Sequence, residues 1–297
     1  MRPRPRLPPP SRTEPLAGLA PAKVNLTLRV TGRRPDGYHL LDSLVVFAGV
    51  GDRLTVTPSD ELSLAVMGPL AAGVPTGTGN LVLRAADLLR ERRSVRAGAA
   101  ILLEKHLPHG GGIGGGSSDA ACALRLLARL WGVPPLERSE ALALGADLPV
   151  CLHAPAPARM TGIGEGVDPV PPLPGAALVL VSPGLHASTP AVFGAHAQLR
   201  TTFSEAQDPP PEGLDPAGLA RFAREGGNDL APAAIRVAPG IGAVLDALSA
   251  TPGLLGCGMS GSGSVCWGLA ADAVTASQAA ATLERPGWWV RAAPLLS

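Results

Sequence analysis

Six of the seven residues from Gly110 to Gly116 are glycine, and two serines and an amphipathic run follow at once: HGGGIGGGSSDAACALRLLARLWGV. Such a backbone can turn its N–H groups toward one point, and a helix start behind it adds the positive end of the helix dipole. Together they make a site for phosphate. Ala120, Leu124, Leu127 and Trp131 fall at helical spacing, and Gly132 and Pro134 stop the helix. Ser117 or Ser118 is the expected N-cap, with Asp119 in the first turn. A tight turn without a ligand is the plainer reading, and the chain does hold 37 glycines. A run this dense in front of Ser-Ser and a helix is nonetheless hard to obtain from composition. The Walker pattern requires Gly-Lys-Ser/Thr after its glycines, whereas Lys105 precedes them. A G-x-G-x-x-G match can be forced at Gly110, Gly112 and Gly115. The acid near the required distance, Glu137, however, lies beyond the helix stop and a double proline.

Upstream, AKVNLTLRV (22–30) alternates Val24, Leu26, Leu28 and Val30 with Lys23, Asn25, Thr27 and Arg29. That is the period of a half-buried strand, which puts Lys23 and Asn25 on one polar face, roughly 6–7 Å apart. Pro35-Asp36-Gly37 is a turn signal, Asn80 caps a helical pattern, and residues 99–105 read as a strand. A further helix is expected over 137–144, ending at Gly145, and another over 240–249. DPVPPLPG (168–175) marks a domain boundary, and residues 201–220 read as a polar, proline-rich surface excursion.

A length of 297 residues suggests two domains. The net charge of +1, with arginines scattered rather than massed, gives no footprint for nucleic acid. Four cysteines lack disulfide-framework or metal-ligand spacing, no signal peptide is evident, and no apolar run is long enough to span a membrane. A cytoplasmic, non-membrane protein is expected, with residues 1–19 as a flexible extension. Only two of the 25 basic residues are lysine, Lys23 and Lys105. Asparagine occurs at Asn25, Asn80 and Asn228, and tyrosine only at Tyr38. In a chain this poor in these residue types, the survivors mark positions where substitution is resisted.

PAKVNLTLRV (21–30), LPHGGGIGGGSSDAA (107–121) and GCGMSGSGSVCWGL (256–269) resemble the three motifs of the GHMP kinase superfamily, which includes galactokinase and the homoserine and mevalonate kinases. RRPDGYHLLDSL (33–44), GADLPV (145–150) and GNDL (227–230) resemble its methylerythritol branch. The resemblance spans about residues 20–295. It implies an α+β fold of two domains, an N-terminal unit like ribosomal protein S5 domain 2 (20–167) and a ferredoxin-like C-terminal unit (168–297), with the active site between them. It also implies transfer of the ATP γ-phosphate to the 2-hydroxyl of a cytidyl-diphosphate ester of methylerythritol, with Mg2+ accompanying ATP, by a monomer or homodimer.

By motif position, Asp147 matches the general base and Lys23 its cationic neighbour. Asn80, Lys105 and the loop residues Gly110, Gly111, Gly112, Gly114, Gly115, Gly116, Ser117 and Ser118 match the ATP site. Asn25, Tyr38, His39, Thr189 and Phe193 match the substrate site, with Tyr38 and Phe193 sandwiching the cytosine and His39 hydrogen-bonding it. His109, Val150, Cys151 and Ala231 depart from the family pattern. A homoserine, mevalonate or sugar kinase, and a silent nucleotide-binding regulator on the same scaffold, are the alternatives. The Tyr38–His39 and Phe193 elements, which serve a base, count against the first, and retention of Asp147 and Lys23 against the second.

Overall fold

The computed structural model describes residues 14–199 and 202–297. The expected flexibility of the N-terminal extension therefore concerns residues that, up to 13, lie outside those described. Leu16 to Leu19, assigned to the extension, instead begin β1 (Leu16–Asn25), and β2 (Arg29–Arg33) follows after a break. Both pair antiparallel with β3 (His39–Ser59), a 21-residue strand that is the spine of the first half. The alternation predicts one solvated face, but the structure buries both. Val24 and Leu26 enter the core, and Lys23, Asn25 and Thr27 are no more than 2% exposed. Chain segments from both halves, the glycine loop and the 259–265 turn among them, close over the polar face.

Next come β4 (Leu62–Met67), α1 (Leu81–Arg93), β5 (Gly98–Glu104) and α2 (Gly115–Trp131). β5 pairs antiparallel with β3 and parallel with β4. α2 packs on α1 and across β1 and β3, with Ala120, Ala121, Leu124 and Leu127 essentially inaccessible. The helical pattern over 137–144 forms α3 (Arg138–Ala141) and a 3-10 turn (Leu142–Leu144), and Gly145 separates these from α4 (Leu148–Leu152). β6 (Ala158–Gly162) returns to β3, and β7 (Gly166–Pro169) pairs with β6.

The second half comprises β8 (Ala177–Ser182), α5 (Thr189–Gln198), α6 (Pro216–Gly226), α7 (Ala231–Val237), α8 (Gly240–Ser249), β9 (Leu254–Met259), β10 (Cys266–Ala270), α9 (Ala273–Leu283) and β11 (Trp289–Leu296). Its antiparallel order β11-β8-β10-β9 is that of a ferredoxin-like split βαβ unit. The excursion expected over 201–220 contains the start of α6. Asp215 caps that helix by accepting from the Gly218 N–H at 2.7 Å, and Pro216 occupies the first turn. Asp-Pro marks helix starts as well as turns, so composition alone misreads this stretch. Among the described residues no helix is long and apolar enough to cross a membrane.

β11 joins the halves. Trp289–Pro294 pair with β8, and Leu295 and Leu296 continue onto Ala48 and Phe47 of β3. A core cluster packs Val24, Leu26 and Ile113 against Leu178, Val265 and Trp267 across the junction. The Trp267 indole N–H donates to the Asn25 carbonyl at 3.0 Å.

Candidate active site

The glycine loop lies where the halves meet. Gly112 (φ +74°) and Gly114 (φ +61°) are left-handed, and a Cβ on Gly112 would collide with the Ser260 carbonyl oxygen. Gly114, not Ser117 or Ser118, is the N-cap of α2, and no side chain caps this end. The left-handed glycine lets the helix start three residues early, so the serines fall inside it. Ser118 is buried and donates to the Pro21 carbonyl at 2.7 Å, fixing α2 to β1, while Ser117 faces a cavity. The uncapped N–H groups at the start of α2 are therefore not consumed by a protein oxygen from its cap.

Lys23, at the end of β1, is buried. Its Nζ lies 3.2 Å from Asp147 Oδ2 and donates to Asn25 Oδ1 at 2.9 Å. The Asn25 amide donates to Ser43 Oγ at 2.7 Å, and Ser43 donates to the Thr27 carbonyl at 2.6 Å. This chain of bonds fixes the amide so that its oxygen faces the ammonium. Asp147 precedes α4 without capping it, and its side chain is 36% exposed toward the cavity. A helix-cap role for Asp147 is thus absent, and the carboxylate is available to whatever enters.

The cavity has a volume of 760 Å³. Gly112 and Ser117 line one part of it, Lys23, Asn25 and Asp147 another, and Tyr38, His39, Thr189 and Phe193 a third. Tyr38 stands at the rim, 62% exposed. The ring contact made by Phe193 is with His39, stacked at 4.7 Å and 23°. Thr189 and Ser262 hydroxyls are 2.9 Å apart, joining α5 to the 259–265 turn. Burial, then Arg33, then His196 hold the His39 imidazole below its ordinary pKa. Arg33 and Asp36 also line this region. Sequence reading passed over both, although they flank Tyr38 in the same RRPDGYH segment.

Asn80 and Lys105, like most of the loop glycines expected at the ATP site, lie outside the lining of this cavity. Asn80 is the cap of α1, accepting from the Val82 N–H at 2.9 Å and donating to the Pro75 carbonyl at 2.7 Å. Lys105 is buried between Asp52 and Asp119, bonded to the first and 2.7 Å from the second. Neither side chain lines the cavity. Asp119 lies one turn into α2 rather than at its start, and it serves this triad rather than the helix end. Its Oδ1 has no partner among the described residues. Burial pushes the Asp119 carboxyl up to about 8, with Lys105 opposing and Asp52 adding. Burial works against the Lys105 charge, but Asp119 and Asp52 outweigh it and raise its pKa. The triad lies under the glycine loop, within van der Waals reach of a Cβ built on Gly115.

The third glycine motif welds the other two together. Ser260 Oγ accepts from the Asn25 N–H at 3.1 Å and donates to the Gly112 carbonyl at 2.9 Å. Asn228, one of the three asparagines, donates to the carbonyls of Met259 and Gly261 at 2.8 and 2.9 Å and accepts from the Leu230 N–H. It holds the 259–261 turn against the start of α7.

A glycine loop on a helix start, a buried lysine beside a carboxylate, and a ferredoxin-like second half closing the cleft define a GHMP kinase. The family descriptions GHMP kinases N terminal domain and GHMP kinases C terminal match residues 80–157 and 212–287. The 4-diphosphocytidyl-2-C-methyl-D-erythritol kinase of Paramagnetospirillum magneticum is 54% identical over 94% of this chain and 98% of that protein. The protein of the same name from a Jannaschia species is 52% identical over 94% of this chain and 97% of its own length. A crystal structure of 4-(cytidine 5'-diphospho)-2C-methyl-D-erythritol kinase superposes with a TM-score of 0.76 at 38% identity, covering 95% of this chain and all of that one. Homoserine kinase from Cytophaga hutchinsonii shares the fold at 16% identity, with a TM-score of 0.66 and 98% of each chain covered. The chain belongs to the 4-diphosphocytidyl-2-C-methyl-D-erythritol kinase family.

Proposed function

We propose that the chain transfers the ATP γ-phosphate to the 2-hydroxyl of 4-diphosphocytidyl-2-C-methyl-D-erythritol, in the non-mevalonate route to isoprenoid precursors. The Lys23–Asp147 pair carries this reading, because it lies on the cavity wall with the glycine loop and the Tyr38–His39–Phe193 group lining the same space. Asp147 accepts the proton of the attacking hydroxyl, and the fixed Lys23 ammonium balances charge on the phosphoryl group in flight. Asn25 holds Lys23 in place and reaches the substrate, as does Thr189. The α2 N-terminus and the loop Gly110–Ser118 take the ATP phosphates.

Among the described residues no three carboxylate, imidazole or thiol groups converge into a metal site. Mg2+ would enter with ATP and neutralise charge on its phosphates, and Ser117, which lines the cavity at the start of α2, is the hydroxyl that would reach it. Residues 20–167 act as the ATP-binding and catalytic domain, and residues 168–297 as the domain that brings Thr189 and Phe193. The enzyme works in the cytoplasm as a monomer or homodimer. An ADP-release assay comparing the cytidyl substrate with mevalonate and homoserine is the test. Turnover confined to the cytidyl substrate is expected, and comparable turnover of either other alcohol overturns the reading.

A further inference from the structure

His196 lies three residues beyond Phe193 on α5, so both project from one face of the helix. Its side chain is buried, at 6% exposure, in a helix whose other aromatic residue is Phe193 and which carries no aspartate, glutamate, lysine or arginine. Its ring sits behind His39, the centroids 6.3 Å apart and the planes at 76°. Phe193 covers a face of the same His39 ring at 4.7 Å and 23°. His39 is therefore gripped by two rings from one helix of the second half, while its backbone belongs to the first residue of β3. A ring stacked on one side and met edge-on at another keeps a single plane. We infer that His196 is a positioning residue for the base-binding end of the cavity: its buried ring fixes the plane of His39, so that His39 presents a constant edge to the cytosine.

The inference rests on the proposed role of His39 in base recognition and adds a residue that does not itself reach the base. A neutral imidazole carries one donor and one acceptor, whereas an imidazolium carries donors only. Cytosine offers an amino donor beside its ring and carbonyl acceptors, so only the neutral ring can answer both. The groups around His39 bear on that charge. Arg33 is its register partner on β2, and Asp36 in the intervening turn is paired with Arg34 at 2.8 Å. Tyr38 adjoins it in the chain, and α5 contributes Phe193 and His196. Arg33 and His196 both disfavour a proton on His39, in the same direction as its burial. Cytidyl-substrate binding is accordingly lost as pH falls through the His39 pKa, and removing His196 moves that loss to higher pH.

Steady-state kinetics on the whole enzyme test this with three variants, each checked by thermal unfolding. His196→Leu should raise the KM for the cytidyl substrate by about fivefold or more, the scale of one misplaced hydrogen bond, while kcat and the KM for ATP stay within about twofold. His196→Phe keeps an edge-on ring without a titrating group. It should restore the KM at pH 8, with the acid limb of kcat/KM lying at higher pH than in the parent enzyme. His39→Ala reads the underlying role: an unchanged cytidyl KM there overturns base recognition by His39. If His39→Ala raises that KM while His196→Leu leaves it unchanged, or moves kcat and both KM values together, the positioning role of His196 is overturned and the role of His39 stands. Failure of His196→Phe to rescue the Leu variant overturns it equally.

Discussion

The hydroxyl of Ser260 donates to the carbonyl of Gly112 across 148 residues of chain, and the same oxygen accepts the N–H of Asn25. One buried atom thus fixes the phosphate loop to the strand that carries Lys23. Ser260→Ala leaves the buried Asn25 N–H and the half-buried Gly112 carbonyl short of a partner, a loss of about 1–3 kcal/mol for a buried group. A lower melting temperature is expected, with KM for ATP rising as the loop loosens. Thermal unfolding and initial-rate kinetics measure both, and an unchanged KM for ATP would separate this bond from nucleotide binding.

Asp147→Asn preserves shape but cannot accept a proton. Turnover should fall by at least about a hundredfold, the ordinary scale for a general base, with both KM values little altered. Single-turnover measurement of ADP formation checks the chemical step directly. Near-parental rates would remove Asp147 from the mechanism.

Two glycines of the loop should respond in opposite ways. Gly112→Ala places a Cβ against the Ser260 carbonyl in a left-handed backbone and should destabilise the fold by at least about 1–2 kcal/mol. Gly116 is exposed inside α2, with nothing near a built Cβ. Gly116→Ala should stabilise the helix by about 0.5–1 kcal/mol, yet raise the KM for ATP because phosphate must approach that backbone. Melting curves and ATP titrations of the pair distinguish folding from ligand approach.

The Asp52–Lys105–Asp119 triad predicts a pH signature in stability. Burial sets the folded Asp119 carboxyl above its ordinary 3.8, at about 8. The folded state thus favours the proton: the stability tied to the protonated carboxyl is complete below 3.8, declines as pH rises and is lost above about 8. Asp119→Asn has no such proton to lose. Its melting temperature relative to the parent should climb between pH 5 and pH 9. Parallel curves for the two proteins across that range would refute protonation of Asp119.

What could be read from the chain was local. The glycine run, the Lys23–Asn25 alternation and the Asn80 cap follow from spacing within a few residues, and the structure places each in a strand, loop or helix start as expected. Ser118 was misread because an unusual backbone at Gly114 starts α2 early, and backbone conformation does not show in residue identity where the neighbours are also glycine. Burial of Lys105 between two aspartates was hidden for another reason. Asp52 and Asp119 lie 53 and 14 residues away and carry no shared pattern. His196 meets His39 only because α5 packs across the start of β3, a juxtaposition that no periodicity encodes.

The seam made by β11 sets an order of events during synthesis. Residues 289–296 leave the ribosome after every segment they pair with, including β3, which is complete more than two hundred residues earlier. Until then the stretch of β3 around Phe47 and Ala48, paired with β1 on one side, keeps its other edge open, and the apolar surface that Trp267 and Leu295 later cover stays open to solvent. A partial fold with an open sheet edge therefore precedes β11 during synthesis, and open edges and exposed apolar surface are what aggregation and chaperones act on.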